Sequence, residues 1–212
     1  MVLGFSAARV WPAVTVAGMT QADGAQALEW ALRETRPARP GWLKVENRLY
    51  AMPDGQTADW DVLLGGKTVA LVALTENGHV ILVRQYRPGP GRVLLELPGG
   101  GVGEGEGIEE AAARELLEET GYAAGEIRLV GRTWLASYST AERHAVIATG
   151  CRPVPEAERT AHADPLEFIE PALLSMDEFR VHVVGGQLTD ADMAFMCLYH
   201  LERARGTGPG RP

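Results

Sequence analysis

The chain has 212 residues, of which 46% are hydrophobic and 23% charged, a composition typical of globular proteins and unlike that of disordered chains or coiled coils. Its 28 acidic residues exceed its 20 basic ones, and the net charge of −8 argues against a general nucleic-acid binder. No apolar run approaches the ~20 residues that a membrane helix needs. The two cysteines fit no disulfide or zinc spacing, which favours a reducing, cytoplasmic location.

The first 64 residues differ in pattern from the rest of the chain. Residues 1–18 are predicted to form a loose extension. They are apolar but interrupted by Arg9 and Pro12, and are therefore unlike a secretory signal. Residues 19–64 predict a small helix and strand region. Its predicted elements are a helix around 27–32 and strands at 43–52 and 60–64.

Residues 65–205 indicate one larger domain, followed by a flexible tail at 206–212. Glu76-Asn77-Gly78 lies between two β-branched runs and predicts a hairpin. Short strand-like stretches separated by turn residues occur at 68–75, 79–85, 93–97, 126–135, 144–149 and 166–170, with an irregular segment at 152–165. Strands and helices mix without regular βαβ alternation, which indicates the α+β class.

Three helices are predicted in this domain. The first covers 108–120 and follows a glycine-rich loop at 98–107. The second begins at Ser175, the first residue of a capping-box pattern, and runs toward position 181. The third covers 191–205, with Thr189 as its predicted cap.

The helix at 108–120 carries an unusual concentration of carboxylates. Glu115, Glu118 and Glu119 fall within an arc of about 100° when placed on a helix. Neighbouring like charges repel by a few tenths of a kcal/mol per pair, and Arg114 relieves only part of this repulsion. Hard divalent cations prefer such oxygen ligands, so the cluster indicates a metal site. A solvated acidic helix face is the alternative.

The glycine loop and the helix together form a longer pattern. Residues 100–122 read Gly100, five others, Glu106, seven others, Arg114-Glu115-Leu116, one other, Glu118-Glu119, one other, Gly121-Tyr122. This pattern resembles the Nudix box, the signature of hydrolases that cleave a nucleoside diphosphate linked to another moiety. Tyr122 is the one departure, because the family prefers an aliphatic residue there.

The resemblance implies an α/β/α sandwich around a mixed β-sheet, with a small N-terminal strand region. It implies that Glu115, Glu119 and the carbonyl of Gly99 bind Mg²⁺ or Mn²⁺, with Glu118 assisting. Arg114 is then expected to orient the glutamates by charge-assisted hydrogen bonds.

Flanking residues resemble one branch of the family, the ADP-ribose and nucleotide-sugar pyrophosphatases. Arg84-Gln85-Tyr86-Arg87 followed by Glu96-Leu97-Pro98-Gly99-Gly100 carries this likeness. In that branch Arg87 would contact the phosphates or ribose of the substrate, although a salt bridge at the rim is an equal alternative. The branch also implies a homodimer built through the N-terminal strand region. Trp42, Tyr50 and Trp60 in that region would stack an adenine, or pack at an interface or in the core.

Two further carboxylates are candidates for water activation. Glu167 lies where the branch places a loop glutamate that binds metal or helps to activate water. Glu142 is a second carboxylate that could reach the site from a loop. The general base therefore stays open between them.

The function expected from this resemblance is metal-dependent hydrolysis of ADP-ribose, or a related nucleoside diphosphate sugar, to a nucleoside monophosphate and a sugar phosphate. The expected partner is a small-molecule nucleotide, not a nucleic acid or a membrane. Tyr138 keeps a second hypothesis open, because a tyrosine in that neighbourhood stacks on a base in Nudix enzymes that act on dinucleoside polyphosphates. Hydrolysis of nucleoside triphosphates and a non-catalytic nucleotide-sensing domain are further alternatives.

Overall fold

The computed structural model describes residues 41, 43–155, 168–204 and 206. The predicted helix around 27–32, Trp42 and Glu167 lie outside these residues. Within them the elements, in chain order, are β1 (Lys44–Ala51), β2 (Thr57–Leu64), β3 (Lys67–Thr75), β4 (Val80–Arg87), β5 (Arg92–Glu96), α1 (Ile108–Thr120), β6 (Tyr122–Ala123), β7 (Glu126–Trp134), β8 (Glu142–Pro153), β9 (Ile169–Leu174), α2 (Met176–Val184) and α3 (Ala191–Ala204). No helix among the described residues is both long and apolar enough to cross a lipid bilayer.

Seven strands form a mixed sheet, as predicted. Its central path is β5-β4-β3-β8-β6, while β9 pairs with β4 and β7 pairs with β8. The pairing of β3 with β8 is parallel, and the other described pairs are antiparallel. Strands β1 and β2 form a separate antiparallel hairpin over eight residue pairs.

Helices cover both faces of the sheet, because β3 and β8 alternate apolar side chains between two cores. Leu71 and Val146 face a core that contains α1, whereas Val72 and Ile147 face a core that contains α2 and α3. This arrangement is the predicted α/β/α sandwich, and it confirms the α+β class. On α1 the buried apolar residues are Ala111, Ala112 and Leu116.

Several predicted boundaries were wrong where tertiary pairing decides the length of a strand. Strand β8 runs through Pro153, past the predicted end at 149, because β6 pairs with its last two residues. Strand β9 occupies Ile169–Leu174, whereas 166–170 was predicted, because its pairing with β4 extends to Leu174 opposite Val80.

The predicted Thr189 cap of the last helix was also wrong. The Thr189 hydroxyl donates to Glu96, and the Asp190 carbonyl accepts the first hydrogen bond of α3.

The glycine loop lies along the first half of β3 like an additional strand. The amide of Val69 donates to the Gly100 carbonyl, and the amide of Leu71 donates to the Pro98 carbonyl, each at 2.9 Å. On its other side, β3 pairs with β8. The loop therefore joins the edge of β3 to the start of α1, which places the carboxylates of α1 beside the sheet.

Candidate active site

Arg114 is the centre of a charged cluster between the glycine loop and α1. Its guanidinium donates to both carboxylate oxygens of Glu106, at 2.9 and 3.1 Å, and to the Gly101 carbonyl at 2.8 Å. It also donates to Glu115 at 2.8 Å and to Glu118 at 3.0 Å. The Arg114 guanidinium therefore ties the loop to the helix.

This cluster shifts the ionisation of its members. The Arg114 guanidinium, together with the amide of Gly103, lowers the pKa of Glu106 from 4.5 to about 2. Glu106 in turn makes the largest contribution to a raised pKa of Arg114. Both groups are therefore charged across the physiological pH range.

Glu119 does not lie on a solvated face of α1, which was the alternative to a metal site. Only 8% of the residue is exposed, because the glycine loop covers it, and its carboxylate accepts a hydrogen bond of 2.7 Å from the amide of Gly99. Gly99 has φ +155°, and a Cβ there would lie 2.1 Å from the carbonyl oxygen of Val69. A Cβ on Gly100 would lie 2.5 Å from Oε1 of Glu115. Gly99 therefore allows the loop to lie against the backbone of β3, and Gly100 allows it to approach the carboxylate of Glu115.

The cation shared by the carboxylates in the structure is Arg114. Across the described residues, no three His, Cys, Asp or Glu side chains converge closely enough to hold a metal ion. The oxygen donors predicted for a metal nevertheless lie on one short loop and two turns of one helix.

Glu142 lies at the start of β8, on the face of the sheet that α1 covers. It lies four and six residues before Val146 and Ala148 of that core, so the three side chains share one face, and β3 separates Glu142 from the glycine loop. Its carboxylate accepts a hydrogen bond of 3.3 Å from Arg132 and lies 3.7 Å from Nε2 of the buried His144. Sequence reasoning assigned no role to His144, and only its period-two spacing from Glu142 could have indicated this contact.

Tyr138 lines a cleft of about 510 Å³ between the β1–β2 hairpin and the loop that precedes β8. The residue is 61% exposed. Tyr50 and Trp134 supply further aromatic surface to this cleft, and Glu142 borders it. The cleft thus combines aromatic rings with a carboxylate.

A second cleft, of about 420 Å³, opens on the face of the sheet that α3 covers. Arg87 and Arg143 both line it. Arg87 forms an ion pair with the fully buried Glu96, so the salt bridge considered as an alternative is present. Arg143 pairs with Asp190, and burial raises the pKa of that aspartate although Arg143 opposes the shift.

Sequence reasoning missed the residues that support the two arginines of this cleft. Glu96 gave one signal, because it is a single carboxylate in an otherwise apolar stretch, Val93-Leu94-Leu95-Glu96-Leu97. Thr189 was interpreted as a helix cap, and Asp190 gave no signal. Their contacts join positions up to 93 residues apart, which no local pattern indicates.

A comparison with known protein families matches the NUDIX domain to residues 65–191, which is more than half of the chain. The chain belongs to the Nudix family. The Nudix box predicted at residues 100–122 lies inside the matched range, so the family resemblance is confirmed.

Two relatives of this Nudix protein each share 79% of their length with it. The chain is 28% identical over 154 residues to the methanol dehydrogenase activator of Bacillus methanolicus, covering 70% of this chain and 79% of that one. It is 28% identical over 148 residues to the ADP-ribose pyrophosphatase of Bacillus subtilis, with the same coverage. A crystal structure of an ADP compounds hydrolase matches with a TM-score of 0.68 at 21% identity, over 81% of this chain and 92% of that chain, which shows the shared fold.

The close approach at Gly99 predicts a strict requirement for glycine. We expect Gly99→Ala to lower the free energy of unfolding by about 2 kcal/mol or more, because the added Cβ collides with backbone. Gly101→Ala is the matched control, since a Cβ there meets no atom within 4 Å, and a change within about 0.5 kcal/mol is expected. Urea unfolding measures both values, and equal losses would contradict the steric account.

The lowered pKa of Glu106 predicts a stability that depends on pH. Because the folded-state pKa is about 2 and the ordinary value 4.5, the stabilisation is present above pH 4.5 and is lost as the pH falls toward 2. Glu106→Gln should therefore be less stable than the wild type at pH 7, with a difference that shrinks between pH 4.5 and 2. Urea unfolding across this range tests the prediction, with the exposed Glu104→Gln as control. A difference that stays constant with pH would count against it.

Proposed function

We propose that this protein hydrolyses the diphosphate bond of ADP-ribose or of a related nucleoside diphosphate sugar, giving a nucleoside monophosphate and a sugar phosphate. The observation that carries the proposal is the set of α1 carboxylates held by Arg114 against the glycine loop. The Bacillus subtilis relative, named an ADP-ribose pyrophosphatase, supports the substrate class. Catalysis is assigned to residues 65–205.

The donor set suits Mg²⁺ or Mn²⁺, because carboxylate and carbonyl oxygens are the ligands that these hard cations prefer. Glu115, Glu119 and the Gly99 carbonyl would hold the ion, with Glu118 assisting. A bound divalent ion would neutralise charge on the diphosphate and lower the pKa of a water molecule. Arg114 would keep the carboxylates oriented.

Direct attack by water agrees with the other groups in the chain. Both cysteines are buried, and burial raises the pKa of Cys151 to about 11 and that of Cys197 to about 12, so neither is a thiolate nucleophile at neutral pH. In the proposed reaction, water oxygen bonds to one phosphorus, the bond from that phosphorus to the bridging oxygen breaks, and a carboxylate accepts a proton. Glu142 and Glu167 are the candidates for that acceptor. The position of Glu142 on the face of the sheet that α1 covers supports this role for Glu142.

Arg87 and Tyr138 are the proposed substrate contacts. Arg87 lines the cleft on the α3 face, where its guanidinium can bind phosphate or ribose oxygens. Tyr138 lines the aromatic cleft beside Trp134, where a nucleobase can stack. This exposed aromatic surface is also the observation that favours the second candidate function, hydrolysis of a dinucleoside polyphosphate.

A substrate panel separates these functions. Purified protein with Mg²⁺ would be incubated with ADP-ribose, ADP-glucose, GDP-mannose, diadenosine polyphosphates and nucleoside triphosphates, and the products resolved by chromatography. Preferred cleavage of a nucleoside diphosphate sugar to two monophosphates supports the proposal. Preferred cleavage of dinucleoside polyphosphates supports the second candidate, and release of pyrophosphate indicates hydrolysis of nucleoside triphosphates. If no substrate gives a product, nucleotide sensing without turnover is favoured.

Glu119→Gln tests the assignment of the carboxylates. Because the amide of Gln keeps an acceptor for the Gly99 N–H but loses the charge, we expect a folded protein whose turnover falls by at least about 100-fold. Glu104→Gln, on the exposed part of the same loop, should retain activity. The readouts are kcat and the unfolding midpoint, and a variant that unfolds would assign Glu119 a structural role instead.

The β1–β2 hairpin supports a homodimer. A two-stranded hairpin alone is marginally stable, yet Val45, Leu49, Tyr50 and Trp60 expose apolar surface on it. We therefore expect sedimentation equilibrium to give twice the chain mass and Trp60→Glu to weaken the association. A wild-type protein that sediments as a monomer would contradict this assignment.

A further inference from the structure

Glu96 has the least exposed carboxylate in the described part of the chain, with none of its surface accessible to solvent. A buried carboxylate is costly unless charged and hydrogen-bonding partners compensate it. Glu96 has one partner for each oxygen. Oε2 accepts a hydrogen bond from Nε of Arg87, and Oε1 accepts from the hydroxyl and the amide of Thr189.

These contacts connect three parts of the fold at one cleft. Arg87 ends β4, Glu96 ends β5, and Thr189 precedes α3. Arg87 and Thr189 both line the cleft of about 420 Å³, whereas Glu96 lies behind them. The cleft wall thus contains the Arg87 guanidinium, which is held in place by the buried carboxylate of Glu96.

The contact with Glu96 leaves most of the guanidinium available for a ligand. Only Nε of Arg87 donates to Glu96, and in the described part of the chain its two terminal nitrogens have no hydrogen-bond partner. Roughly a third of the Arg87 side chain is exposed, at 34%. A guanidinium held at Nε can present its terminal N–H groups to two oxygens of one phosphate.

We propose that Thr189, acting through Glu96, positions the Arg87 guanidinium to bind the diphosphate or ribose oxygens of the substrate. This inference rests on the proposed function, since it takes Arg87 as a substrate contact. Thr189 is a positioning residue that does not itself need to touch substrate. Its hydroxyl fixes Oε1 of Glu96, and this fixes the direction in which Oε2 holds Arg87.

Matched substitutions at Thr189 distinguish the effect of its hydroxyl on binding from the effect of its side-chain shape. Thr189→Val removes the hydroxyl at nearly constant volume, and we expect it to raise the Kd and KM for ADP-ribose about 5- to 10-fold with little change in kcat. Thr189→Ser keeps the hydroxyl and should restore most of the affinity. Thermal unfolding of both variants controls for loss of structure.

A double-mutant cycle tests whether Thr189 acts through Arg87. Arg87→Gln keeps a donor for Glu96 but removes the positive charge, so it should weaken ADP-ribose binding. In that background, Thr189→Val should produce no further loss. An undiminished loss there, or Thr189→Val binding like the wild type, would overturn the inference.

Calorimetric binding of ADP-ribose distinguishes a failure of this inference from a failure of the proposed function. If the wild type binds ADP-ribose without hydrolysing it, and Thr189→Val binds it more weakly, the positioning role holds and the hydrolytic function fails. If the wild type hydrolyses ADP-ribose and Thr189→Val is unaffected, the positioning role alone fails. If the wild type neither binds nor hydrolyses ADP-ribose, both fail.

Discussion

The Arg114 guanidinium lies between the glycine loop and α1, where it donates to four oxygens of three carboxylates and to one backbone carbonyl. Glu106 of the loop and Glu115 and Glu118 of α1 would repel one another without this cation, because all three carboxylates lie around one guanidinium. Its fixed fork of donors also imposes directions on the carboxylates, which a lysine ammonium would not do. This cluster links the loop to α1, while backbone hydrogen bonds to β3 hold the part of the loop that covers Glu119.

Strand β3 separates the two chemical environments of the site. On one face α1 contributes carboxylates, and the glycine loop brings backbone amides and carbonyls to them. On the other face Arg87 and Arg143 line a cleft. A phosphate-containing substrate placed at this end of the sheet would meet carboxylates suited to a cation from one side and guanidinium groups from the other.

Local signals predicted the parts of the structure that depend on neighbouring residues. Helix α1 begins and ends where the sequence predicts, because the glycine loop precedes it and Gly121 ends it in a left-handed conformation. Ser175 and Glu178 form the predicted capping box of α2. The hairpin at Asn77-Gly78 is also present, with φ +77° at Gly78. Each of these features is encoded within a few residues.

Features that depend on distant residues were not predictable in the same way. Glu119 is buried because a loop 20 positions away folds over it, whereas helical spacing alone places it only in one arc with Glu115 and Glu118. Glu96 and Thr189 meet across 93 positions, so their partnership with Arg87 needed the assembled sheet. The length of β8 likewise follows from β6, a two-residue strand without a periodic pattern.

The most direct test of this account is a metal titration of ADP-ribose turnover. Protein treated with a chelator would be mixed with ADP-ribose, and the release of AMP and ribose 5-phosphate followed as Mg²⁺ is added. The account predicts no turnover without metal and a saturable rise that gives the two products in equal amounts. Turnover that is independent of metal, or folded protein that stays inactive at saturating Mg²⁺ and Mn²⁺, would contradict it.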